Sequence, residues 1–273
     1  MTQALALPSL IMSLASVGSG AIVGLVLGLV GGGGSIMATP LLVYVVGIAS
    51  PHLAIGTSAV AVSASALGNL GSHWRAGNVK WRCAAVFSLV GVLGAFVGSA
   101  IAKSVDGQKL LALFGALMVV VGLAMLRKKS GEGRPDVRLT ISSAANLLPK
   151  LASIGFGVGL FSGFFGIGGG FLIVPGLMLA TGMPLTLAIG TSLVAVSAFG
   201  AATAASYSLS GLVNWPVAVL FVLGGLGGGL VGVQLGKVLS TRKQALNLVF
   251  ATLVIVVGAY IVVRGYFTLS SGA

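Results

Sequence analysis

GLVGGGGSIMATP, residues 28–40, places four consecutive glycines inside one of the most apolar stretches of the chain. Each glycine in a helix interior costs about 1 kcal/mol relative to alanine. A bilayer tolerates irregular backbone only where protein or a wet cavity covers it. Nearly the same pattern returns as GFFGIGGGFLIVP, residues 163–175. A break made twice, at matching places, is a built feature.

The surroundings set the class. Of 273 residues, 57% are hydrophobic and only 7% charged, against about 25% charged in an ordinary soluble domain. Apolar runs of about 20 residues recur from end to end, the length that carries a helix through roughly 30 Å of hydrocarbon. The chain reads as an all-α, polytopic membrane protein. Its first residues show neither a basic stretch before the apolar run nor a convincing cleavage site, so the first segment reads as a retained span. Cys83 is the single cysteine, which leaves no disulfide framework or dithiol pair, and it reads as a small apolar residue. The net charge of +12 fits basic cytoplasmic loops better than a nucleic-acid surface.

Two stretches reveal an internal repeat. LAIGTSAVAVSA (53–64) and LAIGTSLVAVSA (187–198) differ only at Ala59 against Leu193, an offset of 134. Gly77, Trp81 and Lys103 match Gly211, Trp215 and Lys237 at the same offset. The glycine motifs align at 135, with Gly31, Gly33, Gly34 and Pro40 on Gly166, Gly168, Gly169 and Pro175. Each half divides into five apolar segments: 8–30, 35–49, 53–74, 81–102 and 109–126, then 148–165, 169–182, 186–208, 215–236 and 244–264. The expected organisation is a first transmembrane repeat over 1–126, a polar cytoplasmic linker over 127–146, and a second repeat over 147–273. The second segment of each half is short, about 20 Å of helix, so it either spans or dips in and returns.

Charge chooses between these. With ten crossings, Arg75, Lys80, Arg82, Arg127, Lys128, Lys129, Arg134, Arg138, Lys150, Lys237, Arg242 and Lys243 share one side, against Lys103, Lys109 and Arg264 on the other, 12 to 3. With eight crossings the split is 10 to 5. The asymmetry of basic loops favours ten, with both termini periplasmic. Five spans per half make the repeats inverted, an architecture that puts a substrate site at the repeat interface, at interrupted helices.

The glycine breaks suit an anion. Glycine lets backbone turn and approach a ligand closely, and amides at a helix start bind negative charge without a cationic side chain. Gly31, Gly33, Gly34 and Ser35 form one candidate cradle, and Gly166, Gly168, Gly169 and Gly170 the other. The repeated GTS adds Thr57, Ser58, Thr191 and Ser192, whose hydroxyls either cap the following helix or face a ligand. Glycines 224–232 and Gly91, Gly94 and Gly98 read instead as helix-packing residues. GIGGG lacks the βαβ context and Gly-Lys-Ser/Thr of a nucleotide loop. Asp106, Glu132 and Asp136 are the only acids, all in loops, so no carboxylate proton relay fits. His52 and His73 read as interfacial. No catalytic, metal-ligand or cofactor-binding cluster is discernible, and an enzyme is not expected.

The duplicated G-x-G-G-x5-P motif followed by AIGTS, in two five-segment halves, resembles the sulfite exporter TauE/SafE family of membrane permeases. The resemblance covers nearly the whole chain. It implies transport of sulfur-containing anions such as sulfite, sulfoacetate or other organosulfonates across the bacterial inner membrane, with the small anion and the lipid bilayer as partners and no nucleic acid. Alternating rocking of the two halves is the expected movement. An anion exporter is the leading expectation. Because the family includes exporters and importers, an uptake permease for another small solute is one competing reading, and a non-transporting membrane scaffold or sensor is the other.

Overall fold

A computed structural model of the chain describes residues 9–127, 141–166, 170–238 and 243–271, and every regular element among them is helical. The order is α1 (Leu10–Val30), a 3-10 segment (Gly31–Met37), α2 (Ala38–Tyr44), α3 (Pro51–Arg75), α4 (Trp81–Ser104) and α5 (Gly107–Arg127). There follow α6 (Ile141–Phe165), α7 (Gly170–Thr181), α8 (Leu185–Leu209), α9 (Trp215–Val238) and α10 (Lys243–Ser271). Seven of them, α1, α3, α4, α5, α6, α8 and α9, are long and apolar enough to cross a membrane by length and composition among the described residues.

Boundaries differ from the sequence reading where polar residues continue a helix. α6 begins at Ile141 rather than 148, through Ser142, Ser143 and Asn146, and so takes up the last six residues assigned to the linker. α10 runs on to Ser271. Hydropathy marks the apolar window, whereas backbone hydrogen bonding carries the helix past it.

α3 and α8 form the centre. In their most apolar windows 67% and 61% of residues are buried, against 28–44% for the other candidate spans. They run antiparallel: Gly56 meets Tyr207, Ser63 meets Ser197, and Gly190 meets Asn78 in the turn beyond α3. α1 and α9 lie side by side in the same direction, with Gly20, Gly24 and Gly28 on Phe221, Gly225 and Gly229. α4 and α6 repeat this, with Gly159 and Gly163 on Gly91 and Ala95. α3 is parallel to α9 through Ser65 on Gly225 and Asn69 on Gly229, and α4 is parallel to α8 through Phe199 on Gly91 and Ser206 on Ser99. α5 and α10 pair antiparallel, Ala112 against Gly265 and Gly122 against Ile255. The principal contacts therefore join one half of the chain to the other.

Glycine explains the closeness. A Cβ at Gly28 would lie 2.5 Å from the Gly229 carbonyl oxygen, so any larger residue would force α1 and α9 apart. Without a hydrophobic force between helices in lipid, such backbone contact supplies the dispersion and weak polar attraction that hold them.

Candidate functional site

The midpoints of α3 and α8 are Ser63 and Ser197, which occupy equivalent places in the two copies. Ser63 Oγ donates to the Ser197 carbonyl oxygen at 2.7 Å, and Ser197 Oγ donates to Leu193 O at 2.8 Å. The 3-10 segment packs against α7 and α8, and α7 also lies against α8. The short, glycine-preceded elements of the two halves thus meet at the central pair.

The first glycine run acts differently from the sequence expectation. Gly31–Met37 is itself 3-10 helix, so Ser35 sits within 3-10 turns rather than at the bare start of a new helix. The run nevertheless reverses the chain. A Cβ at Gly34 would lie 2.5 Å from Leu27 N and 2.9 Å from Val26 C. Seven residues of straight helix would separate positions 27 and 34 by about 10 Å. Ser35 is fully buried beside this reversal. In the second half Gly166 closes α6 with φ +66°, where a side chain would be strained. Gly168 and Gly169 lie outside the described residues, and Gly170 is the first residue of α7.

The GTS hydroxyls divide into two roles. Thr57 Oγ1 donates to Leu53 O at 2.6 Å and accepts from the Asn214 amide at 2.9 Å. Thr191 Oγ1 accepts from the Lys80 amide at 3.0 Å. Asn214 and Lys80 are the residues just before α9 and α4, so each threonine fastens a helix start from the opposite half. These two hydroxyls are taken up by backbone. Ser58 Oγ lies 2.8 Å from Ile55 O, 3.1 Å from Gly166 O and 2.9 Å from Thr39 Oγ1, and all three of these residues are buried. Ser192 Oγ makes the equivalent bond to Ile189 O at 2.7 Å.

The structure thus gathers Thr39, Ser58 and Gly166 at one break, and places Gly34 and Ser35 at the other. Thr39 was missed in the sequence although it stands inside the quoted motif. Its signal is a hydroxyl before Pro40 where the second copy has Val174. His52, at the start of α3, reaches the Val105 carbonyl just beyond α4 through Nε2 at 3.1 Å. Cys83 is buried in the apolar core. Among the described residues no cluster of His, Cys, Asp or Glu is arranged to hold a metal.

Comparison with known proteins gives this arrangement a lineage. No solved structure matches the chain. A probable membrane transporter protein of Xylella fastidiosa (strain Temecula1) is 52% identical over 254 residues, covering 93% of this chain and 96% of that one. The probable membrane transporter protein YunE of Bacillus subtilis (strain 168) is 26% identical, covering 91% and 97%. The family model described as "Sulfite exporter TauE/SafE" matches residues 16–261, across both glycine breaks and the central helix pair, and the chain belongs to that family of membrane transporters.

Proposed function

We propose that this transporter exports small sulfur-containing anions, sulfite or organosulfonates, across the bacterial inner membrane. The observation that carries the reading is the chemistry of the buried polar groups. Ser58, Asn69, Thr203 and their neighbours in the central helices are hydroxyls and amides. The chain's three acids lie elsewhere: Asp106 caps α5, accepting from the Gln108 and Lys109 amides, and Glu132 and Asp136 fall in the polar stretch between the halves. Neutral donors suit an oxyanion, and the lack of an intramembrane carboxylate argues against a carboxylate proton relay.

The architecture we propose is two inverted repeats, 1–126 and 147–273, joined by a cytoplasmic linker over 127–146 whose last six residues already belong to α6, with ten crossings and periplasmic termini. Helix direction supports it. α1, α3 and α9 point one way and α4, α6 and α8 the other, so residues 31–50 have to carry the chain back between α1 and α3. Past the reversal at Gly34, the rest of the 3-10 segment and α2 extend about 16 Å, and residues 45–50 complete the return to the start of α3. Reciprocal partners support it too: Thr57 with Asn214 against Thr191 with Lys80, and Ser63 with its own counterpart. Rocking of one sequence half against the other would part α1 from α9 and α4 from α6 at their glycine contacts. Movement centred on the short broken segments leaves those contacts intact, and is the version we favour.

Export follows from charge. An inside-negative potential of 100 mV drives an anion outward by about 2.3 kcal/mol, or roughly a fiftyfold gradient. In proteoliposomes loaded with a sulfonate that has no other titrating group, an inside-negative potassium diffusion potential should accelerate efflux. Collapsing a pH gradient at fixed potential should leave it unchanged. Flux that followed the pH gradient and ignored the potential would overturn anion uniport.

A further inference from the structure

We propose that Asn69 and Thr203 are the donors that hold the anion beside the two glycine breaks. This deepens the anion-transport reading and rests on it. Asn69 is 3% exposed and Thr203 is fully buried, and neither the Asn69 Nδ2 nor the Thr203 Oγ1 has a hydrogen-bond partner. Both are equivalent positions of the repeat, at the offset of 134 that relates α3 to α8. Leaving a donor unpartnered in the interior costs about 1–3 kcal/mol. Two such groups at matching places in the two most buried helices are a repeated feature that packing alone does not explain.

Their surroundings point to the breaks. A Cβ at Gly229 would lie 2.6 Å from Asn69 Nδ2, and one at Gly28 would meet Gly229 in turn. Gly28 follows Leu27, whose backbone nitrogen is the group that Gly34 folds back against. The Asn69 amide therefore sits where α1, α3 and α9 meet at the foot of the first reversal, with no side chain at Gly28 or Gly229. Thr203 stands on the stretch of α8 that runs beside the start of α3, between Gly200 on Ala59 and Tyr207 on Gly56. Ser58 lies in that same stretch of α3, and its hydroxyl meets Gly166. Each break thus has one interior donor from a central helix at its level. On the antiparallel pair Asn69 and Thr203 stand six residues beyond Ser63 and Ser197 in opposite directions, about 9 Å to either side of the crossing. Two stations on either side of a midpoint fit an anion passed from one to the other.

The test uses the whole chain with methanesulfonate, sulfite and sulfate as probes. Thr203→Val keeps the branched shape and removes the hydroxyl, and Asn69→Leu does the same for the amide. Half-saturation by methanesulfonate is read twice: from the rise in the unfolding midpoint in detergent, and from KM for efflux in proteoliposomes. Each variant should raise both values about tenfold, the effect of one hydrogen bond to an anion. The anion-free unfolding midpoint should hold or rise, because an unpartnered interior donor has gone. Unchanged half-saturation in both variants, with wild type still stabilised and transporting, would sink this assignment alone. Wild type neither stabilised nor transporting with any of the three anions would sink the anion reading and the assignment together. Should Asn69→Leu not fold, the Thr203→Val result decides.

Discussion

The glycines of α9, over residues 224–232, and those of Gly31–Gly34 have similar composition and opposite consequences. In α9 the helix is uninterrupted, and its glycines sort by spacing onto separate faces. Gly224, Gly228 and Gly232 meet Val17, Ala21 and Leu25 of α1, while Gly225 and Gly229 meet Ser65 and Asn69 of α3. At Gly31–Gly34 the glycines are contiguous, so no face keeps a side chain, and the chain tightens to 3-10 helix and folds back on Leu27. Spacing of four builds an interface. An unbroken run permits a reversal.

The largest expected effect breaks the interface. Gly24→Val places branched carbons on the Gly225 backbone, which cannot move without parting α1 from α9 along their length. Overpacking of this kind destabilises by about 3 kcal/mol. Gly159→Val should match it, because Gly159 stands on Gly91 in the same way. Denaturant unfolding in mixed micelles measures both. Losses under about 1 kcal/mol would show that the helices slide apart freely.

Next comes the reversal. Gly34→Val should destabilise by about 2 kcal/mol, the middle of the overpacking range, since it collides only with the end of α1 at Val26 and Leu27 and not along a whole helix pair. Its larger effect should be on flux. In the fraction that still folds, methanesulfonate efflux should fall more than tenfold, whereas Gly24→Val should lower folded yield and leave the rate per folded molecule near normal. Equal rates per folded molecule in the two variants would erase the distinction between interface and reversal.

Smaller again is the pair that the sequence left open between capping and ligand contact. Thr57→Val and Thr191→Val each remove the acceptor of a helix-start amide, Asn214 and Lys80 respectively. An amide left unpaired costs about 1–3 kcal/mol. Thr57 should suffer more, because the Asn214 site is the more buried of the two, Asn214 being 8% exposed against a half-buried Lys80. KM for methanesulfonate should not change in either. A rise in KM with unchanged stability would return the threonines to the ligand.

These residues also mark what the sequence could and could not disclose. Hydropathy alone specified an all-helical membrane chain, since nothing else accommodates so many apolar runs. The near identity of 53–64 and 187–198 disclosed the duplication. The glycine faces of α9 were readable because packing repeats with the helix period. The partner was not: that α1 should lie on α9, and α4 on α6, depends on tertiary contacts with no trace in local pattern. For the same reason Thr57 and Ser58, adjacent in the chain, could not be told apart, although one fastens a loop of the other half and the other meets a break. Asn69 and Thr203 escaped notice because an amide or hydroxyl in an apolar run is ordinary until its partners are known.

The smallest effect is the sharpest test of the spacing argument, because it compares neighbours. Gly227 and Gly228 are consecutive in the same glycine run and the same uninterrupted helix. A Cβ at Gly227 has nothing within 4 Å, whereas one at Gly228 falls on the Ala21 backbone. Alanine is favoured over glycine in a helix by up to about 1 kcal/mol because it restricts the unfolded chain more. Gly227→Ala has only this term, and should be neutral or raise stability by a few tenths to about 1 kcal/mol. Gly228→Ala gains the same term and loses more to the collision, so its net effect should be destabilising. Opposite signs at adjacent positions follow only if face, and not glycine content, decides. Two variants of the same sign, read in the same micelles by the same unfolding curve, would mean that the run lowers helix stability as a block. The contrast between α9 and Gly31–Gly34 would then be one of degree.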